Sequence, residues 1–195
     1  MLAPPSSWLA LLATAGAITG CAGVGGADTK SFRLPSPTMS PTFKVGDIVQ
    51  ADLGAYKSDA PERGDIVVLY PPAGSLDERC GVATEPADGH PCEMPTTDED
   101  RTVKVLLRVT GLPGDWLYIK DNRSYIGKAR RGPYTKQDEP YVAENPLCDA
   151  PCNLPKPVQI PADHYFVMGD NRGESYDSRI WGPVRRSSVL GQVGP

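Results

Sequence analysis

Tyr165-Phe166-Val167-Met168-Gly169-Asp170-Asn171-Arg172, continuing to Ser175, Asp177-Ser178-Arg179 and Trp181-Gly182, is the stretch whose reading decides the fold. It opens on a short apolar run, Tyr165–Met168, that reads as a buried strand and stops at a Gly-Asp turn. The same rhythm recurs outward along the chain. Ile48–Asp52, Asp65–Tyr70, Thr102–Thr110, Trp116–Ile119, Ser124–Ile126 and Val158–Ile160 all read as short strands between Gly/Pro turns. With 21 prolines and 20 glycines, short strands and turns are favoured over long helices. No window beyond the N-terminal segment shows a helical period. Two irregular insertions interrupt the pattern, one between Pro71 and Asp100 and one from Gly127 to Pro157. The architecture this predicts is mostly antiparallel β, barrel-like, with loop insertions.

The chain's 195 residues leave room for one domain and a short targeting segment, and 39% hydrophobic residues suffice for a core. A net charge of −4, with no basic run longer than the pairs Arg130–Arg131 and Arg185–Arg186, argues against a nucleic-acid partner. Trp8 to Ala27 carries no charge over twenty residues, long enough to cross a bilayer. Ile18-Thr19-Gly20-Cys21 within it looks like a bacterial lipobox, with Cys21 as the lipidated residue. Met1–Ser7 lacks the Lys or Arg usual in signal sequences. A lipoprotein signal leads over an uncleaved anchor and a cleaved secretory signal. Each puts the rest of the chain outside the cytoplasm, so residues 1–30 are assigned to the membrane segment and 31–195 to the domain. The polar break is Asp28-Thr29-Lys30.

Four cysteines remain beyond Cys21, and an even count in an exported domain reads as two disulfides. Cys80–Cys92 and Cys148–Cys152, one pair in each insertion, is the simplest of three connectivities. Reduced thiols are the alternative. A zinc site has the wrong ligand spacing, so no metal and no cofactor are expected.

Three further segments join the first. They are Leu34-Pro35-Ser36-Pro37-Thr38-Met39-Ser40-Pro41-Thr42-Phe43 with Gly46-Asp47, Arg63-Gly64-Asp65-Ile66-Val67-Val68, and Arg108-Val109-Thr110-Gly111-Leu112-Pro113-Gly114-Asp115. In that order, over about residues 32–195, the four resemble the bacterial type I signal peptidases. The family reads Pro-Ser-x-Ser-Met-x-Pro-Thr-Leu, Arg-Gly-Asp, Lys-Arg-x-x-Gly-Leu-Pro-Gly-Asp and Gly-Asp-Asn-Arg-x-x-Ser-x-Asp-Ser-Arg. The resemblance implies a β-rich, membrane-tethered serine endopeptidase that removes signal peptides from exported proteins, on the outer face of the cytoplasmic membrane.

Amide hydrolysis needs a nucleophile, a base and donors for the oxyanion. The family uses a Ser/Lys dyad whose buried lysine is kept neutral by desolvation. The resemblance puts Ser36 and the residue-38 N–H at the oxyanion and Ser175 where a hydroxyl orients the lysine. It also pairs Arg108 with Asp170, and Asp177 with Arg179, as structural bridges. The dyad itself departs from the pattern. Thr38 stands at the nucleophile position, behind Pro37, and Leu107 stands at the base position. Leucine has no group that titrates. His90 and His164 lie away from every matched catalytic position and read as structural or solvated.

Lys104 is the alternative base, as though Val105-Leu106-Leu107 had been inserted after it. Three residues flip the face of a strand and displace the amine by about 10 Å at ~3.3 Å per residue. The sequence therefore reads as a signal-peptidase-like protein whose dyad is replaced and whose activity is impaired or absent. If its groove is retained it binds extended, signal-peptide-like polypeptides by strand addition. The alternative is an active peptidase using Thr38 with Lys104.

Overall fold

The computed structural model describes residues 28–75, 98–144 and 152–194. The expected lipidation at Cys21, the apolar Trp8–Ala27 segment, His90, and Cys80, Cys92 and Cys148 lie outside them. Cys152 is disulfide-bonded, to a partner outside the described residues. No helix among the described residues is long and apolar enough to cross a membrane.

Eleven strands form two antiparallel sheets among the described residues. They are β1 Thr29–Arg33, β2 Ile48–Asp52, β3 Ile66–Leu69, β4 Val105–Gly111, β5 Trp116–Lys120, β6 Arg123–Gly127, β7 Tyr134–Lys136, β8 Leu154–Gln159, β9 His164–Met168, β10 Val184–Arg185 and β11 Val189–Val193. The larger sheet has the order β1-β2-β11-β3-β4-β9-β10, and the smaller β7-β6-β5-β8. The predicted barrel-like form is corrected to this pair of sheets: the larger ends on β1 and β10 and does not close on itself. Two further expectations change. The polar break at Asp28–Lys30 is already the start of β1, and the Gly127–Pro157 insertion supplies β7 and the first residues of β8.

The centre of the large sheet is buried on both faces, so Ile66-Val67-Val68-Leu69 is apolar at every position. Its register with β4, Val67↔Leu107 and Val68↔Leu106, sorts side chains by parity. Val67, Leu69, Leu107 and Val109 point to one face, under Ile180 and Trp181 of a one-turn helix, α1, Ser178–Trp181. Ile66, Val68 and Leu106 point to the other, under Leu34 and Met39. Strand β9 does the same for the third cluster: Tyr165 and Val167 join α1, while Phe166 and Met168 meet Leu117, Ile119 and Leu154 of the small sheet. At ~1.5–3 kcal/mol for each large apolar side chain fully buried, these clusters are the principal stabilising term.

The turns of the Arg-Gly-Asp and Gly-Leu-Pro-Gly-Asp segments are tied by charge. Asp115, wholly buried at the β4–β5 turn, takes Arg63 at 2.6 Å and Lys128 at 2.7 Å, and the Leu112 N–H at 3.0 Å. Burial alone would raise its pKa; the two cations hold it below the usual carboxylate value. The Arg-Gly-Asp and Gly-Leu-Pro-Gly-Asp segments are thus neighbours in space.

Candidate active site

The loop after β1 is pinned at both ends before it reaches Thr38. Leu34 donates its N–H to the Asp47 carbonyl at 2.9 Å and accepts the Gly46 N–H at 2.8 Å. Met39, 2% exposed, anchors the loop between Leu34, Val49 and Leu106. Thr38 between them is half-buried. Its hydroxyl lies 2.9 Å from that of Ser36. No acceptor among the described residues takes the Thr38 N–H. The hydroxyls of Ser36 and Thr38 and this N–H therefore share one short stretch of chain.

Asn171 fastens this loop to the end of β9. Its N–H reaches the Thr38 carbonyl at 3.0 Å, and its side-chain amide reaches the Pro37 carbonyl at 3.3 Å. Asn171 belongs to the Gly-Asp-Asn-Arg motif, and that membership is the only mark of this role in the sequence.

Gly169 explains how close the two segments come. A Cβ there would lie 2.4 Å from the Ser175 hydroxyl and 2.5 Å from the Thr38 carbonyl oxygen, so only glycine fits. The register of β4 with β9, Arg108↔Met168 and Val109↔Val167, continued by one residue, sets Leu107 opposite Gly169. Directly paired residues share a face. Leu107, 0% exposed, therefore shares the face on which a Gly169 Cβ would meet Ser175 and the Thr38 carbonyl, and it packs in the cluster of Val67, Val109 and Trp181. The side chain at this position, a leucine, cannot accept a proton.

Ser175 is 0% exposed and donates to Asp177 at 2.7 Å. Asp177 also accepts the Gly169 N–H at 3.0 Å and is held by Arg179 at 2.8 and 2.9 Å. Burial alone would push the Asp177 pKa up; the Arg179 charge and these hydrogen bonds bring it below the usual carboxylate value. It is a charged clamp for Ser175, and a poor base. Arg179 further donates to the carbonyls of Arg172 and Ser175, closing the turn into α1.

Arg108 forks onto Asp170 at 2.8 and 2.7 Å and donates to the Gly64 carbonyl. Its guanidinium lies 3.9 Å from the centre of the Tyr141 ring, and Thr42 donates to the same carboxylate. Burial pushes the Tyr141 phenol up to about 12. A second buried pair, Arg172–Glu139 at 2.8 Å, ties the turn to β6 through Ser124. Thr42 lies in the first matched segment, whereas Tyr141 and Glu139 carry no distinguishing mark in the sequence.

A groove of about 270 Å³ opens beside Thr38. Ser36 and Thr38 line it on one side and Val105 and Leu106 on the other, with Met39 and Val68 below. It borders two unpaired backbone edges. Strand β1 is the sheet's edge, and β4 pairs with β9 only from Arg108 onward, so Val105–Leu107 have no ladder partner on that side. Lys104 lines this groove, but its amine is 5.0 Å from the centre of the Tyr70 ring. His164 sits at the opposite end of β9, its Nδ1 2.7 Å from the Ala162 carbonyl.

The family model described as Signal peptidase, peptidase S26 matches residues 6–194, and the chain belongs to that family. A probable signal peptidase I-2 of Synechocystis is 33% identical over 82% of this chain and 59% of its own length. A signal peptidase I of Leptolyngbya laminosa is 30% identical over 82% and 64%. The chloroplast thylakoidal processing peptidase 1 of Arabidopsis thaliana is 29% identical over 82% and 39%. The chain thus spans less than two thirds of the length of these relatives. A crystal structure of a signal peptidase I from Enterococcus faecalis V583 overlays with a TM-score of 0.39 at 24% identity, covering 70% of this chain and 98% of that one.

Proposed function

We propose that this chain is a signal-peptidase-fold protein, tethered at the outer face of the cytoplasmic membrane, that binds extended signal-peptide-like segments but cleaves them at no useful rate. The observation that carries the reading is Leu107: wholly buried, on the face on which a Gly169 Cβ would meet Ser175 and the Thr38 carbonyl, at the position the resemblance gives to the base. The oxyanion side is better furnished, by Ser36 and the Thr38 N–H. A dismantled serine-protease triad keeps roughly 10³–10⁴ over water from such donors and binding alone. That falls far short of processing. The groove with its two unpaired strand edges supports binding by strand addition.

The rival reading uses Thr38 with Lys104, and is favoured by one fact: both line the same groove. The Lys104 amine is instead engaged with Tyr70. Incubating the full chain with a signal-peptide-bearing precursor decides between them. We expect complex formation without cleavage. Cleavage by the wild type that Lys104→Ala abolishes would overturn the proposal. For the tether, Cys21→Ser is expected to release the protein or block its processing, read by membrane fractionation. The proposed Cys80–Cys92 and Cys148–Cys152 disulfides are read by mass spectrometry of non-reduced peptides.

A further inference from the structure

The groove carries a charge pattern that its apolar walls do not require. The chain has 24 acidic against 20 basic residues, yet no Asp or Glu lines the groove. Arg33, closing β1, stands on one side, and Lys104, just ahead of β4, on the other. Arg33 gives an N–H to the Gly46 carbonyl at 2.8 Å. Neither cation meets a carboxylate among the described residues. Lys30 adds a third positive charge, 5.8 Å from the centre of the Phe32 ring, itself part of the groove wall.

The contrast with Arg101 is instructive. Arg101 and Lys104 share the Tyr70 ring, at 5.8 and 5.0 Å. Glu99 answers Arg101 at 3.2 Å, whereas no carboxylate among the described residues answers Lys104. The carboxylates near in sequence are occupied: Asp100 takes the Thr102 N–H and hydroxyl at 2.9 and 2.6 Å, and Asp47 takes the Lys44 N–H at 2.8 Å. Tyr70 thus holds a cation at the groove with its charge unspent.

Distance along the strand sets what that charge reads. Leu107 is level with the Thr38 segment through Gly169, and Lys104 is three residues earlier, about 10 Å at ~3.3 Å per residue. An extended peptide advances by the same rise. We propose that the groove selects extended polypeptides bearing an acidic side chain two or three residues from the one seated at Thr38, and that Lys104 reads it. This inference rests on the peptide-binding reading above and adds the chemistry of its ligand.

The test is fluorescence polarisation with labelled Ala-rich decapeptides in which a single Asp, or Asn as its neutral match, is moved along the sequence. At one position Asp is expected to bind two- to five-fold more tightly than Asn, the range of an exposed ion pair. Lys104→Gln should erase the difference, Lys104→Glu should turn it into a preference for Lys, and ~1 M salt should suppress it. Equal binding of Asp and Asn peptides at every position, or an Asp preference that survives Lys104→Glu, overturns this inference and leaves the groove reading standing. Failure of every peptide to bind removes both.

Discussion

The two halves of the site have been treated very differently by this sequence. In the supporting half, every charge has its partner: Arg108 on Asp170, Arg179 on Asp177 and Arg172 on Glu139, all within 2.9 Å. In the reacting half, the hydroxyl at position 38 carries an extra methyl, and the facing strand offers Leu107. The reason for the difference is energetic. A buried charge left alone costs several kcal/mol, so the supporting pairs are bound up with folding itself. A buried lysine at 107 would have to be held neutral against its own preference for water, and leucine removes that cost. The supporting pairs are therefore tied to folding in a way that the residues at 38 and 107 are not.

The sharpest way to break that comparison is to put the base back. Thr38→Ser alone should restore no cleavage, because Leu107 remains. Thr38→Ser with Leu107→Lys should exceed it by about 10²–10⁴-fold, the usual worth of a positioned base. The measurement is single-turnover cleavage of a precursor. The Ser175 oxygen is already near, with its proton committed to Asp177 and its lone pairs left for an amine. Adding Pro37→Gly tests whether the locked φ of that residue limits recovery. A double variant as inert as the single one would show that the supporting half no longer holds catalytic geometry.

The next effect is on folding. Arg179→Ala strands the fully buried Asp177 and should cost about 3–5 kcal/mol in denaturant unfolding. The pair also sets a pH dependence. The folded-state pKa of Asp177 lies below the usual 3.8, so its contribution is complete above that value and is lost as pH falls through the folded pKa. In Arg179→Ala the Arg179 charge is gone and burial is opposed only by the hydrogen bonds from Gly169, Ser175 and the residue-179 N–H, so the Asp177 pKa rises. Acid unfolding should then begin at a higher pH than in the wild type.

Smaller is Gly169→Ala, whose methyl meets Ser175 and the Thr38 carbonyl. It should cost about 1–3 kcal/mol by overpacking and perturb the loop that carries both hydroxyls. Smallest is Tyr141→Leu, which removes the ring stacked on Arg108 and should cost about 0.5–2 kcal/mol, with the Arg108–Asp170 fork intact. A larger loss would place Tyr141 among the essential supports.

Strands with their own apolar run were legible: Ile66–Leu69, Trp116–Lys120, Arg123–Gly127 and His164–Met168 lie within a residue or two of their predicted bounds. Strands that exist only because a neighbour offers an edge were not. Thr29–Arg33 is polar and largely exposed, and takes its strand form from full pairing with β2. Val189–Val193 buries alternate residues, but its middle inward position is Gly191, where a Cβ would lie 2.5 Å from the Asp52 carbonyl, so its sequence shows no apolar alternation.

At the site, the sequence alone determined which residue types occupy the reacting positions, because Thr38 and Leu107 sit at fixed offsets within segments that resemble the family. The resemblance also implied the pairing of Arg108 with Asp170 and of Asp177 with Arg179, and the structure makes both contacts. Only the tertiary structure decided which face each residue serves. Leu106 lines the groove while Leu107 packs with Val67, Val109 and Trp181, and Lys104 spends its reach on Tyr70. The physical reason is that a strand's side chains alternate faces but the sheet register chooses what each face meets, and register belongs to pairs of strands distant in sequence.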